Sequence, residues 1–202
     1  MAKYHRYVFD VDNRKFVGEF ELMYQNESKE NFDSWHQDDT RQLQRKIDLA
    51  ILEDYNFERI LDIGCGKGSL THLLKKKNNQ VTGIDISPTA VTIASERFAD
   101  IDFFALDVSN ISAFRLFAES RGQIDLIFTS EVFSYVENWK ELLGEIAKIS
   151  EYFMISLYIP ENPIGFVKSE SELVNQVSKH FNIIEHITLN TSSFVIVFAQ
   201  RK

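Results

Sequence analysis

Residues 59–70 decide the fold, because a short apolar strand runs there directly into three closely spaced glycines. They read Arg59-Ile60-Leu61-Asp62-Ile63-Gly64-Cys65-Gly66-Lys67-Gly68-Ser69-Leu70. A helix-compatible stretch, residues 69–77, follows the glycines. Glycines permit a tight turn and let a ligand approach the backbone, and the first amides of the next helix face that ligand. Such a turn is, by itself, equally compatible with an ordinary strand-to-helix connection.

The spacing of these glycines excludes two common phosphate-binding motifs. The dinucleotide fingerprint G-x-G-x-x-G would need glycine at position 69, where Ser69 stands. A P-loop would need Gly-Lys-Ser/Thr after four spacer residues, and that pattern is missing around Gly64 and Gly68. The glycine turn therefore matches neither motif.

From residue 59 onward, short apolar runs alternate with amphipathic stretches, which predicts βαβ units and a parallel sheet with helices on both faces. The five runs are Arg59–Ile63, Val81–Ile84, Ile101–Leu106, Ile124–Thr129 and Tyr152–Leu157. Two further runs, Asn182–Leu189 and Phe194–Gln200, are joined by only four residues, 190–193. So short a link can form a hairpin but no parallel crossover. The sequence thus predicts an α/β, Rossmann-like, seven-stranded and mostly parallel sheet with a C-terminal antiparallel hairpin, over residues 59–202.

Residues 1–58 are more polar and aromatic than the rest, and they predict a helical N-terminal cap or lid. Leu43, Ile47, Ile51 and Tyr55 recur at steps of four, which predicts a helix within residues 40–55.

Acidic residues stand at the ends of several predicted strands. Asp85 comes 21 positions after Gly64, Asp107 ends the third strand, and Ser130-Glu131 ends the fourth. Each acid alone could be a helix cap or a solvated strand end. Together with Asp62, they lie where an open α/β sheet binds its ligand, at the carboxyl ends of the strands. Taken together, these strand-end residues predict a ligand site.

The pattern Asp62-x-Gly64-x-Gly66-x-Gly68, followed by Asp85, Asp107 and residues 124–131, resembles the class I S-adenosylmethionine-dependent methyltransferases. The resemblance implies S-adenosyl-L-methionine as cofactor and S-adenosyl-L-homocysteine as product. Gly64–Gly68 would pass the amino-acid end of the cofactor, Asp85 would hold the ribose hydroxyls, and Asp107 would accept from the adenine amino group. Cys65 occupies a variable spacer position and is interpreted as a small residue rather than a nucleophile. The full cofactor-binding set implied is Asp62, Gly64, Cys65, Gly66, Gly68, Asp85, Ile86, Leu106, Asp107, Val108 and Ser130, with Trp35 and Arg45 from the cap.

The segment after the fourth predicted strand limits which class of molecule can accept the methyl group. Residues 130–136 carry neither the Asn/Asp-Pro-Pro-aromatic motif of enzymes that methylate base nitrogens nor the Pro-Cys of base-carbon enzymes. They resemble small-molecule methyltransferases, especially those like nodulation protein S, an N-methyltransferase of an amino sugar. Residues 32–35 echo the Asp-Pro-Trp of that group, with Ser34 in place of the proline. The resemblance implies methyl transfer to an amine or hydroxyl of a small molecule, with a sugar or cell-surface glycan precursor as the first guess.

Three residues are candidates for a catalytic base or orienting group: Glu131, Tyr135 and His36. Glu131 could instead contact the cofactor or cap a helix. If Glu131 opens a helix, Tyr135 at i+4 would share its face, although packing is the alternative role for Tyr135. His36 follows Trp35 in the predicted lid.

The aromatic residues of the predicted lid can be interpreted in two ways. Tyr24 and Trp35 could cover the cofactor or line the substrate pocket, or they could form a hydrophobic staple under the helix of residues 40–55. Arg45 could pair with the cofactor carboxylate.

The amino-acid composition limits which partners and cofactors the chain can bind. The 202 residues carry 30 acids against 22 Lys and Arg, a net charge of −8, which argues against a nucleic-acid partner. The single cysteine excludes an internal disulfide, no His/Asp/Glu spacing suggests a metal, and the longest apolar run, residues 194–199, is too short to span a bilayer. We therefore expect a cytoplasmic enzyme of small molecules that uses neither metal nor membrane; the oligomeric state stays open. The alternatives are an RNA or protein methyltransferase, a nicotinamide-dependent oxidoreductase and a non-catalytic cofactor-binding module.

Overall fold

A computed structural model of the chain describes residues 5–30 and 32–202. The cap predicted over residues 1–58 therefore includes residues 1–4 and 31, which lie outside the described part. The described cap elements follow in chain order: helix α1 (His5–Val8), strand β1 (Phe9–Asp10), strand β2 (Lys15–Phe16), helix α2 (Phe20–Glu30), a 3-10 turn (Ser34–His36) and helix α3 (Leu43–Glu53).

The cap is not wholly helical, because β1 and β2 pair as a small antiparallel hairpin. The backbone and side-chain nitrogens of Asn13 donate to the Asp10 carboxylate at 3.0 and 2.7 Å, and these bonds close its turn. Short polar side chains that bond to nearby backbone favour turns over helices. The helix predicted within residues 40–55 is present as α3.

A seven-stranded sheet follows the cap, as the alternation of apolar runs predicts. Its strands are β3 (Arg59–Ile63), β4 (Gln80–Asp85), β5 (Asp102–Ala105), β6 (Ile124–Ser130), β7 (Ser150–Tyr158), β8 (Phe181–Leu189) and β9 (Phe194–Arg201). Their spatial order is β5-β4-β3-β6-β7-β9-β8. The first five pair in parallel, whereas β9 pairs antiparallel with both β7 and β8, so the predicted fold class and terminal hairpin are confirmed.

Helices connect the strands: α4 (Ser69–Leu74), α5 (Pro88–Arg97), α6 (Ile111–Ser120), α7 (Trp139–Ile149) and α8 (Glu170–His180), with a 3-10 turn at Phe133–Tyr135. Helix α4 ends three residues earlier than the sequence predicts. The Asn79 side chain donates to the Leu74 carbonyl at 2.9 Å and accepts from the Lys76 amide at 2.7 Å. These bonds use the groups that would otherwise continue the helix.

The core lies in two layers, one on each face of the sheet. Alternate residues of a strand point to opposite faces. Ile127 packs with Phe114, Leu142 and Leu173 of α6, α7 and α8. Its neighbour Phe128 packs with residues of α3 and α4 on the other face. No helix in the described part of the chain has the length and apolar character needed to cross a bilayer.

The sheet reverses its winding at β3, because β3 pairs with β4 on one side and with β6 on the other. In open α/β sheets this switch point leaves a crevice beyond the carboxyl ends of the strands, and ligands bind there. The ends of β3, β4 and β6 are occupied by the glycine turn, Asp85 and Ser130-Glu131. The topology therefore brings the acids and glycines of distant segments to one place.

Candidate functional site

A cavity of about 270 Å³ opens at this switch point. Its walls come from the strand ends of the sheet on one side and from the cap on the other. Of the sixteen site residues predicted from sequence, thirteen line it; Gly66, Gly68 and His36 do not. Within residues 5–30 and 32–202, no group of three or more His, Cys, Asp or Glu side chains is placed to hold a metal ion.

Of the three turn glycines, Gly64 is the one that lines the cavity. Its φ is +78°, and a Cβ there would lie 2.0 Å from Cγ2 of Val132, so a larger residue has no room. Its amide donates to the Ile84 carbonyl at 2.7 Å, which ties the turn to β4. The backbone beside the cavity therefore stays bare.

The other two glycines serve the turn itself. A Cβ on Gly66 would lie 2.2 Å from Oε1 of Gln37, because the Gln37 side chain covers this residue. A Cβ on Gly68 would meet the Phe103 ring at 2.9 Å. Gly66 permits the cap to approach, and Gly68 permits α4 to pack on the sheet.

Asp85 is a buried carboxylate with both oxygens fixed. Oδ2 accepts from the Gly66 amide and Oδ1 from the Ser87 amide, each at 2.9 Å. Burial raises its pKa to about 6, although the two amides oppose that shift. Each oxygen keeps a lone pair for a further donor, so the group can accept a pair of hydroxyls without moving.

Asp62 lies on the cavity wall at the end of β3. Its Oδ2 accepts from the Thr71 hydroxyl of α4 at 2.6 Å, and burial raises its pKa to about 7. Next to it, burial raises the pKa of the Cys65 thiol well above its usual value. A protonated thiol is a poor nucleophile, which is consistent with interpreting Cys65 as a small packing residue.

The third acid stands at the rim of the cavity. Asp107 is exposed, and its Oδ1 accepts from the Ser109 amide at 2.9 Å. The preceding Leu106 amide donates to the Asp85 carbonyl at 2.8 Å, which fixes residues 106–108 beside Asp85. Leu106, Val108 and the half-exposed Ile86 complete this apolar end of the cavity.

Glu131 comes directly after β6 with a φ of +68°, so it opens no helix. The helix that would have placed Tyr135 on its face is therefore absent, and a short 3-10 turn takes its place. The Glu131 amide donates to the Ser156 carbonyl at 2.8 Å. Burial raises the pKa of its carboxyl to about 7, while the charge of Arg45 opposes the shift. A carboxyl of this pKa can exchange a proton at neutral pH.

Trp35 and Tyr24 line the cavity and belong to an apolar cluster of the cap. They do not form a staple under α3, which packs in a different cluster. The Tyr24 hydroxyl accepts from Nε2 of Gln37 at 2.8 Å. His36, the remaining cap candidate, is exposed and lies outside the cavity.

Arg45 lines the cavity, but its guanidinium is already held by the cap backbone. Nη1 donates to the carbonyls of His36, Gln37 and Asp39 at 2.8, 3.2 and 2.9 Å, and Nη2 donates to that of Trp35 at 3.3 Å. Its main structural role is therefore to shape the loop of residues 35–39.

Ionic contacts fasten the cap to the glycine turn. Nζ of Lys67 lies 3.2 Å from the buried Glu27 carboxylate and 2.5 Å from that of Asp33. The Lys67 amide donates to Oε1 of Gln37 at 2.8 Å. Sequence reasoning missed Gln37 as a site residue, because nothing in its local pattern shows that it crosses to residues 66–67.

Comparison with known proteins supports the fold. A family profile described as a methyltransferase domain matches residues 61–150. Malonyl-[acyl-carrier protein] O-methyltransferase of Acetivibrio thermocellus is 27% identical over 184 residues, which cover 89% of this chain and 54% of that protein. The ubiquinone biosynthesis O-methyltransferase of Caulobacter vibrioides is 36% identical over 94 residues, or 45% of this chain and 35% of that protein. The chain thus spans about half the length, or less, of these curated relatives.

A solved structure shows the same architecture. The N-methyltransferase NodS of Bradyrhizobium japonicum, in complex with S-adenosyl-L-homocysteine, superposes with a TM-score of 0.68 at 17% identity, covering 88% of this chain and 97% of that one. The expected likeness to nodulation protein S is confirmed at the level of the fold. The strand order and this likeness show that the chain has the class I fold, the fold of S-adenosylmethionine-dependent methyltransferases, and residues 61–150 match the methyltransferase-domain profile.

Proposed function

We propose that this chain transfers a methyl group from S-adenosyl-L-methionine to an amine or hydroxyl of a small molecule. The single observation that carries the proposal is the set of carboxyl groups beside a bare glycine turn at the switch point of the sheet. Asp62, Asp85 and Asp107 all line the cavity there with Gly64. This arrangement suits a donor that is an adenosyl sulfonium cation.

The residues present fit that donor. Asp85 presents two fixed oxygens to ribose hydroxyls, and Asp107 lies one strand further along, beside the apolar residues that would hold adenine. Gly64 leaves room for the chain that carries the sulfonium. In the bound donor, the sulfonium supplies a methyl group with a neutral leaving group. The protein must then mainly align the acceptor with that methyl group, and such orientation can supply roughly 7–11 kcal/mol.

Charge also separates this proposal from the nicotinamide alternative. The pyrophosphate of a dinucleotide is anionic and is normally held at glycines and a helix N-terminus. Here it would lie near Asp62 and Asp85, and the missing glycine at position 69 adds to the mismatch. An RNA acceptor is disfavoured by the net charge of −8.

A thermal-unfolding and calorimetry experiment tests donor binding. S-adenosyl-L-homocysteine at about 100 times its dissociation constant should add about 2.7 kcal/mol of stability. NADH should add none, and Asp85→Ala should remove most of the gain because the ribose loses its acceptor. Stabilisation by NADH alone would overturn the proposal. Label transfer from methyl-labelled donor into fractions of an extract, with small metabolites separated from RNA and protein, then tests the acceptor class and separates an enzyme from a non-catalytic binding module.

A further inference from the structure

The cavity has an aromatic end formed by residues other than those assigned to the ribose and adenine of the donor. Phe16, Phe20, Trp35 and Tyr135 line it there, and we call these four residues the aromatic wall. Tyr135 is at its centre, with ring centroids 5.2 Å from Phe20, 6.1 Å from Phe16 and 6.2 Å from Trp35. Phe16 and Phe20 come from the cap, so this wall exists only when the cap is folded onto the sheet.

The charges around the cavity are strongly one-sided. Among the described residues that line it there are four carboxyl groups, those of Asp62, Asp85, Asp107 and Glu131, and one cation, Arg45. Four backbone carbonyls hold the Arg45 guanidinium, so it is poorly placed to receive an incoming anion. An acidic acceptor would be desolvated among carboxyl groups with no cation free to pair with it, and such burial is costly.

Of these four carboxyl groups, Glu131 is the closest in sequence to the aromatic wall, because it follows β6 four residues before Tyr135. It lines the cavity with the aromatic wall, and its backbone is fixed by the bond from its amide to Ser156. Its charged surroundings are Arg45, which favours its ionised form, and Asp48 of α3, whose carboxyl interacts with both. Its pKa near 7 lets it hold a proton taken from a cationic group and release it again.

Aromatic faces and a carboxylate together form the usual environment of an organic cation. Resting on the proposed function, we propose that the acceptor is an amine on an apolar, ring-sized body, bound between the aromatic wall and Glu131, and that carboxylates are excluded as acceptors. This differs from the acidic malonyl group after which the Acetivibrio thermocellus relative is named.

The reaction balances with the groups present. The ammonium form of the acceptor gives one proton to the Glu131 carboxylate and becomes a neutral amine. The nitrogen lone pair then forms a bond to the methyl carbon as the carbon–sulfur bond breaks, and that electron pair stays on sulfur as a neutral thioether. Glu131 afterwards returns its proton to solvent, and the methylated nitrogen carries the positive charge.

Calorimetry on the protein loaded with S-adenosyl-L-homocysteine tests the inference with three ligands of one skeleton: phenethylamine, hydrocinnamate and phenylpropanol. We expect the amine to bind at least about tenfold more tightly than the carboxylate, equivalent to about 1.4 kcal/mol. Glu131→Gln should abolish that preference, whereas Glu137→Gln, which removes an exposed carboxyl six residues away, should keep it. A Tyr135→Leu variant should weaken binding of all three ligands together.

Every other outcome counts against the acceptor inference. Equal or tighter binding of hydrocinnamate overturns it, as does failure of the amine to bind, or preference for phenylpropanol. Binding of S-adenosyl-L-homocysteine is measured first in the same samples. Its absence would refute the proposed function itself, so the two failures are distinguishable.

Discussion

Replacing Asp48 by Asn should make the protein progressively more stable than the wild type as pH rises. Asp48 lies in α3 and its side chain is fully buried. It faces the Ser156 hydroxyl, yet neither carboxyl oxygen completes a hydrogen bond of normal geometry with a described residue. Burial raises its pKa to about 8, and the charge of Glu131 adds to the shift.

Proton linkage gives the direction and size of the effect of Asp48 on the free energy of unfolding. In the folded protein Asp48 keeps its proton up to about pH 8, whereas in the unfolded chain it loses it near its ordinary value of 3.8. Folding therefore takes up one proton between these pH values, and this group lowers stability by about 1.4 kcal/mol for each pH unit. By pH 7 the cost amounts to about 4 kcal/mol. Asp48→Asn has no such proton, so this cost disappears.

The assay is urea unfolding of the wild type and Asp48→Asn at pH 5, 6 and 7, followed by circular dichroism. The amide carries a fixed cost of its own, so the diagnostic quantity is the change in the difference between the two proteins. Between pH 5 and pH 7 we expect the free energy of unfolding of the variant to rise relative to that of the wild type by about 3 kcal/mol. Glu53→Gln, which removes an exposed carboxyl from the end of the same helix, serves as the control. A difference that stays flat with pH would show that Asp48 is already ionised in the folded protein at pH 5, and would contradict this prediction.

Three further variants test the cap and the turn. Because Trp35 lines the cavity from the cap, Trp35→Ala should weaken binding of S-adenosyl-L-homocysteine at least about tenfold, or about 1.4 kcal/mol. The variant should lose little global stability. Unchanged affinity in calorimetry would reject this role. Lys67→Met should leave the buried Glu27 without its cation and cost about 3–5 kcal/mol, seen in urea unfolding and as faster hydrogen exchange of α2. Equal exchange in α2 would show that this contact does not fasten the cap. Gly64→Ala should destabilise the domain through the contact with Val132, and the double variant with Val132→Ala should recover part of the loss in thermal unfolding; no recovery would mean that the positive φ alone carries the cost.

Much of the sheet could be predicted because its signals are local. The bounds of β3 match the predicted run of residues 59–63, and the four-residue link before β9 already required a hairpin. The acids at the strand ends were also predictable as neighbours, since parallel strands bring their carboxyl ends to one edge. The sequence left open whether Glu131 opens a helix, and hydrophobic periodicity could not settle it; the structure shows that it opens none, since its φ is +68°.

The strands, their mostly parallel pairing with a terminal hairpin, the glycine turn and the acids around it were predictable from the sequence, because strand period, turn residues and connection lengths act between near neighbours. Contacts between distant segments place Gln37 over Gly66, hold Arg45 with cap carbonyls and bury Asp48 without a full partner, and none of these could be predicted from the sequence. Such contacts also bring Phe16 and Phe20 of the cap to Tyr135. Burial, pairing and pKa depend on which distant segments come into contact in the folded chain, and the residues next to a side chain in the sequence do not indicate those contacts.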